Sequence, residues 1–173
     1  MSDLDTLREW MLYNATVREG YFTTLARLPP DELNRDRGAS FPSLLDIMVH
    51  TLDAIQRWTV RSSAVVGPQY LGVERRPQPT FEDLQRYNTE VNAQLGRLLD
   101  SLHEEDLDKT YVIPKRLPVI PEDLTLSVRA TLWHLVEEEL QHRGELNALL
   151  WQIDIEPPIF DWVDWVKLRQ SPP

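Results

Sequence analysis

Proline-rich breaks divide this chain into four segments whose apolar residues recur at three- and four-residue steps, and that pattern restricts the fold to a helical bundle. In the first segment Leu4, Leu7, Met11, Leu12, Ala15, Tyr21/Phe22, Leu25 and Leu28 form one stripe, which Pro29-Pro30 ends. The charged stretch Asp31–Phe41 reads as a loop. A second helix is predicted from Ser43, where Ser43-Leu44-Leu45-Asp46 has capping-box spacing, to just before Gly67-Pro68. Tyr70–Pro79 reads as a connector. Thr80-Phe81-Glu82-Asp83 opens a third helix in the same way, running to about Leu102. Residues 104–125 carry three prolines and two β-branched clusters, Thr110-Tyr111-Val112-Ile113 and Val119-Ile120, so a long loop with a small β-ribbon is expected. The fourth helix extends from about Ser127 to Gln152. Helices of ~20–25 residues are ~30–38 Å long, which suits an all-α four-helix bundle.

The chain's 173 residues fit a single domain, with a core at about 4–152 and an aromatic tail at 157–173. Eighteen basic against 28 acidic side chains give a net charge of −10, which argues against nucleic acid and anionic membrane surfaces as partners. The N-terminus lacks the features of a signal peptide, and no run approaches the ~18 apolar residues needed to span a bilayer. A cytoplasmic location is the resulting expectation, and the sequon Asn14-Ala15-Thr16 carries no meaning there. There is no cysteine. Disulfides, thiolate metal sites and a cysteine nucleophile are thereby excluded, and any metal must be held by His, Asp, Glu or backbone oxygen.

Bundles build metal sites from facing helices, and the fourth helix offers one face with His134, Glu138 and His142 at four-residue intervals. His134 and His142 are two turns apart, roughly 12 Å along the axis, too far to share one ion readily. Residues four apart have Cβ atoms ~5–6 Å from each other. The choice is therefore Glu138/His142 or His134/Glu138, completed by His50 across the bundle. Spacing alone favours the ordinary alternative, in which such residues are solvated pairs or satisfied core histidines, and Glu137-Glu138-Glu139 is a wet face.

The stretch from His134 through Glu138 to His142-Arg143-Gly144-Glu145-Leu146 resembles the last-helix signature of the DinB/YfiT-like superfamily of metalloenzymes, which typically reads His-x3-His/Glu-x3-His-Arg-Gly-Gln. Upstream, Tyr13-Asn14-Ala15, Leu28-Pro29-Pro30-Asp31-Glu32-Leu33, Gly38-Ala39-Ser40-Phe41-Pro42-Ser43-Leu44, and His50 before Trp58 are similar to that family's first half. The likeness covers about residues 8–150. It implies a bundle of DinB type, commonly homodimeric, with a divalent metal held by His50, Glu138 and His142. Glu138 as middle ligand resembles the mycothiol-dependent maleylpyruvate isomerase branch. Glu145 stands where Gln is common, which leaves its role open.

Two imidazoles and one carboxylate leave coordination positions free, as in catalytic zinc sites; nickel, iron or manganese would also suit such a set. The resemblance thus implies a thiol-dependent S-transferase or isomerase acting on a small molecule. With no cysteine in the chain, the thiol would be an external low-molecular-weight one. The alternatives are a metal-dependent hydrolase and a non-enzymatic helical ligand-binding or interaction protein. His134, one turn before Glu138, is expected to be structural or to line the substrate pocket, with proton transfer as its candidate catalytic role. Arg143 would anchor an anionic substrate or join an ion pair, and Gly144 would permit close helix approach. His103 is expected on the surface. The six tryptophans are expected mostly in the core, with Trp162/Trp165 covering a pocket or a dimer face.

Overall fold

In the computed structural model, which describes residues 2–66, 79–116, 118, 120–158 and 160–170, the four long periodic segments are helices. They are α1 (Asp3–Leu25), α3 (Leu44–Val66), α4 (Phe81–Ser101) and α5 (Val128–Trp151). α3 packs against both α4 and α5, and α1 closes the bundle against α5 and α4. Leu7 and Leu25 of α1, Ile47 and Leu52 of α3, Leu98 of α4 and Leu132 of α5 are fully buried where these stripes meet. Each such side chain contributes about 1.5–3 kcal/mol relative to exposure. None of the described helices is long and apolar enough to cross a membrane.

The helix starts follow their capping residues. Thr80 and Asp83 form a reciprocal capping box at α4, as Ser2 and Asp5 do at α1. Ser43 Oγ accepts from the Asp46 amide at 3.1 Å at the head of α3, and Ser127 caps α5. The expected connector 70–79 lies, apart from Pro79, outside the described residues.

Three local expectations change. The stretch read as a loop begins with a helix, α2 (Pro30–Asn34), because Pro30 at the first helical position needs no amide partner and its φ is already helical. The ribbon exists: β1 (Thr110–Ile113) pairs antiparallel with β2 (Leu124–Ser127), so its second strand lies partly beyond the expected loop. Ile120 makes only an isolated bridge to Arg116. The ribbon leads directly into α5: Ser127, opposite Thr110, is also the residue that caps that helix. The aromatic tail is itself a helix, α6 (Trp162–Gln170).

α6 packs on α1, and its Arg169 borders a cavity there with Asp5, Arg8, Glu9 and Leu12. Trp162 stacks on Trp10 at 4.1 Å between ring centroids, and the buried Trp165 donates its indole N–H to Glu9 at 3.3 Å. Of the six tryptophans, only Trp165 is fully enclosed. Trp133 and Trp151 are exposed on one outward stripe of α5 with Leu140, and Gly144 lies on the same stripe. Among the described residues nothing lies within 4 Å of where a Gly144 Cβ would sit, so none of the described helices approaches it. The acidic run also departs from expectation at Glu139. That residue is buried and ion-paired with the buried Arg18 of α1, whose guanidinium also donates to Asn88 and Asn92 of α4. A charge at that depth is tolerated only because it is paired and hydrogen-bonded.

Candidate metal centre

α3 and α5 run side by side through the middle of the bundle, which brings His50 of α3 opposite Glu138 and His142 of α5. One ligand atom from each of these three residues lies within 4.8 Å of the others. His142 Nε2 is 3.3 Å from Glu138 Oε2, and His50 Nε2 is 3.8 Å from Glu138 Oε1. Two donors at ~2.0–2.1 Å from a tetrahedral ion are themselves about 3.3–3.4 Å apart, so the His142–Glu138 pair already has that spacing and the wider separations to His50 would close around an ion. His134 is outside it. Its Nε2 is 3.7 Å from Glu138 Oε1, but its ring packs edge-on to Trp58 at 5.1 Å and lines the adjacent cavity.

The surroundings orient these donors. His142 Nδ1 is 3.2 Å from Glu145 Oε2, three residues along the same helix, which leaves Nε2 to face Glu138. Glu145 in turn accepts from the Ser40 amide and hydroxyl, both at 2.7 Å. A carboxylate behind a ligating imidazole fixes its tautomer and raises its basicity. Burial acts to raise the Glu145 pKa, yet the Ser40 bonds and His142 hold it below the ordinary carboxylate value. Phe41 stacks on His50 at 4.0 Å and meets His142 edge-on at 5.5 Å, closing the site on the side of the loop that precedes α3. Gly38, at φ +64°, turns that loop, and its amide bonds to Asp36. Burial pushes His50 below the usual histidine value, against the pull of Glu138, so its ring is a neutral donor at pH 7.

Among the described residues Arg143 pairs with no carboxylate. It donates to Tyr13 Oη at 2.9 Å and Asn14 Oδ1 at 2.8 Å, joining α5 to α1 behind the site. Asn14 is fully buried, which fits the expectation that its sequon has no role. His103 is exposed, as expected, just after α4.

On the open side of Glu138 and His134 lies a cavity of about 770 Å³ between α3, α5 and the β1–β2 connection. Arg57 and Arg61 of α3 and Lys115 and Arg116 of the connection contribute to its wall. Sequence reasoning missed these four, as it missed Ser40, Phe41 and the part played by Glu145. The signal for two of them was available: Arg57 and Arg61 follow His50 by seven and eleven residues, which keeps them on its face of the helix.

The sequence matches the DinB family over residues 1–170. The chain belongs to the DinB family. A DinB-like protein from Bacillus cereus ATCC 10987 superimposes with a TM-score of 0.67 at 17% identity, covering 91% of this chain and 97% of that one. The DinB-like protein YjoA from Bacillus subtilis gives 0.62 at 15% identity, covering 87% and 95%. Among curated proteins, the uncharacterized protein YizA of Bacillus subtilis (strain 168) is 20% identical over 145 residues, 84% of this chain and 86% of the relative. The shared fold and the His50–Glu138–His142 cluster fit a metal-binding DinB-like protein.

Proposed function

We propose that this DinB protein is a metal-dependent enzyme of the thiol S-transferase or isomerase kind, with His50, Glu138 and His142 holding one divalent ion, zinc first among the candidates. The observation that carries this reading is the three-donor set, backed by Glu145 and open on one side to a cavity able to admit a small molecule. Three protein ligands with an open position are the pattern of catalytic rather than structural zinc. The ion would supply Lewis acidity, lowering the pKa of a thiol or water that reaches it.

The chain's own residues set the rest. Phe41 and the α3–α5 contact exclude water from the rear of the ligand set. His134, half-exposed on the cavity wall and one turn from Glu138, is placed to carry a proton between the cavity and solvent. Because the chain has no cysteine, the thiol arrives as a separate molecule.

Elemental analysis of protein purified without chelator or affinity nickel tests the metal. About one equivalent is expected, falling to background in His50→Ala and His142→Ala; metal content unchanged by both substitutions would refute the site. Thermal-shift measurements on the metal-loaded protein with mycothiol, bacillithiol and glutathione test the reaction class, since a ligand of the native state raises Tm. A shift with one thiol is expected. Loaded protein that responds to none of them would point to water as the nucleophile instead.

A further inference from the structure

The cavity beside the candidate metal centre has an electrostatic character opposite to that of the whole chain. The protein carries a net charge of −10 with only 18 basic residues, yet Arg57, Arg61, Lys115 and Arg116 all border this one space. Glu138 is the sole carboxylate among its described lining residues, and it belongs to the ligand set. Among the described residues no ion pair engages any of the four cationic side chains. The Arg61 guanidinium lies over the Trp58 ring at 4.7 Å, which holds it toward the cavity without neutralising it. Burial, with Arg57 and Arg116 adding repulsion, lowers the Arg61 pKa from its ordinary value.

Arg57, Lys115 and Arg116 are exposed and Arg61 is half-buried, so the four together give the mouth and wall of the cavity a positive potential that solvent screens only in part. Several other arginines have a carboxylate beside them: Arg18 has Glu139, Arg37 has Glu32, Arg86 has Asp83, and Arg129 has Asp3 and Asp108. The four cavity cations have none among the described residues and face one shared space, where an anionic ligand would neutralise them. Guanidinium pairs with carboxylate or phosphate in bidentate fashion, which suits Arg57 and Arg61, one helical turn apart. The remaining wall is apolar, with Trp58, Ile113 and Ile120.

We propose that this cavity is the binding site for a small molecule that joins an oxyanionic group, carboxylate or phosphate, to an apolar body. The anion sits between Arg57/Arg61 on α3 and Lys115/Arg116 on the β1–β2 connection, and the body lies along Trp58. The end bearing the reacting carbon then points toward His134 and Glu138. That last orientation rests on the proposed metal-dependent function; the anion site stands on the cavity alone. The substrate class for the enzyme is thus an anionic, partly apolar electrophile.

Isothermal titration with trans-cinnamate, phenyl phosphate and the neutral cinnamamide tests this, on metal-stripped and on zinc-loaded protein in parallel. At least one anion is expected to bind both forms at least tenfold more tightly than cinnamamide, with affinity falling as salt rises. A preference between the two anions identifies the head group. Arg57→Gln/Arg61→Gln and Lys115→Gln/Arg116→Gln change different elements, and each pair is expected to weaken the preferred anion at least tenfold with the helical circular dichroism unchanged. Equal binding of anion and amide, binding of neither anion, or an affinity that survives both variant pairs would overturn the proposal. Failure of zinc to bind, with anion binding intact, would refute the metal reading alone.

Discussion

Glu145 stands one turn beyond His142 on α5, its Oε2 3.2 Å from His142 Nδ1, and its carboxylate is held in place by two bonds from Ser40 of the preceding loop. This relay ties the ligand helix to the loop that also lays Phe41 over His50. The carboxylate thus sets both the tautomer of one ligand and the position of the loop covering the other.

Removing Glu145 should therefore weaken metal binding without touching a ligand. Glu145→Ala is expected to lower zinc affinity about 10–100-fold, the usual cost of losing such a partner. Glu145→Gln should lose less, because the amide oxygen can still accept from His142 Nδ1–H and Ser40 Oγ, although the amide nitrogen then replaces the acceptor of the Ser40 backbone N–H. Competition against a chromophoric chelator measures both. Equal affinities in all three proteins would show that the contact does not tune the site.

The Arg18–Glu139 pair makes a prediction about stability rather than chemistry. Both residues are nine-tenths or more buried, so Arg18→Met leaves an uncompensated carboxylate in the bundle and is expected to cost about 3–5 kcal/mol. Arg18→Met/Glu139→Leu should recover much of that loss, since well-packed apolar replacement of a buried pair is often neutral. Urea unfolding of the two variants checks this. A double variant no more stable than the single one would mean that the bonds from Arg18 to Asn88 and Asn92 matter more than the charge pair.

The bundle was legible because its signals are local. Stripes at helical spacing, Ser43 and Thr80 three residues ahead of an aspartate, and Pro29-Pro30 all act within one or two turns. His50, Glu138 and His142 were reachable from a motif, but the preference for His142 over His134 came from resemblance and not from spacing. What periodicity could not supply was every relation across the fold. Glu139 reads as one acid among three until Arg18, 121 residues away, is placed against it. Ser40 reads as a loop residue until it meets Glu145, 105 residues on. The ribbon was expected, but its second strand, Leu124–Ser127, was not, because it carries a single β-branched residue and runs straight into the α5 cap at Ser127.

Tyr21 should be the signature of the α1–α5 contact at alkaline pH. Burial raises its pKa to about 12, opposed by the nearby Arg143 and by its bond to Asn147. The folded value thus exceeds the unfolded value of about 10. The neutral phenol therefore stabilises the native state fully below about pH 10, and the contribution is lost as pH rises from 10 to 12. Absorbance at 295 nm should show a tyrosinate step near pH 12 that is missing in Tyr21→Phe. The stability gap between wild type and that variant should close over the same interval. Were the step still present in the variant, it would belong to another tyrosine.

The helical glycines offer a contrast that depends on packing alone. A Cβ on Gly96 or Gly144 would meet nothing within 4 Å, whereas one on Gly20 would lie 2.9 Å from Pro158 Cβ, in the link that leads to α6. Gly96→Ala and Gly144→Ala are therefore each expected to stabilise by about 0.5–1 kcal/mol, since alanine restricts the unfolded chain and suits a helix better. For a chain of this size that corresponds to a rise in Tm of about 1–4 °C. Gly20→Ala must displace a proline ring packed on α1 and is expected to cost about 1–3 kcal/mol. Thermal unfolding followed by circular dichroism distinguishes the three. If Gly96→Ala rises while Gly144→Ala falls, the stripe of α5 that carries Trp133, Leu140 and Trp151 is covered in solution by something other than the described residues, none of which stands against Gly144.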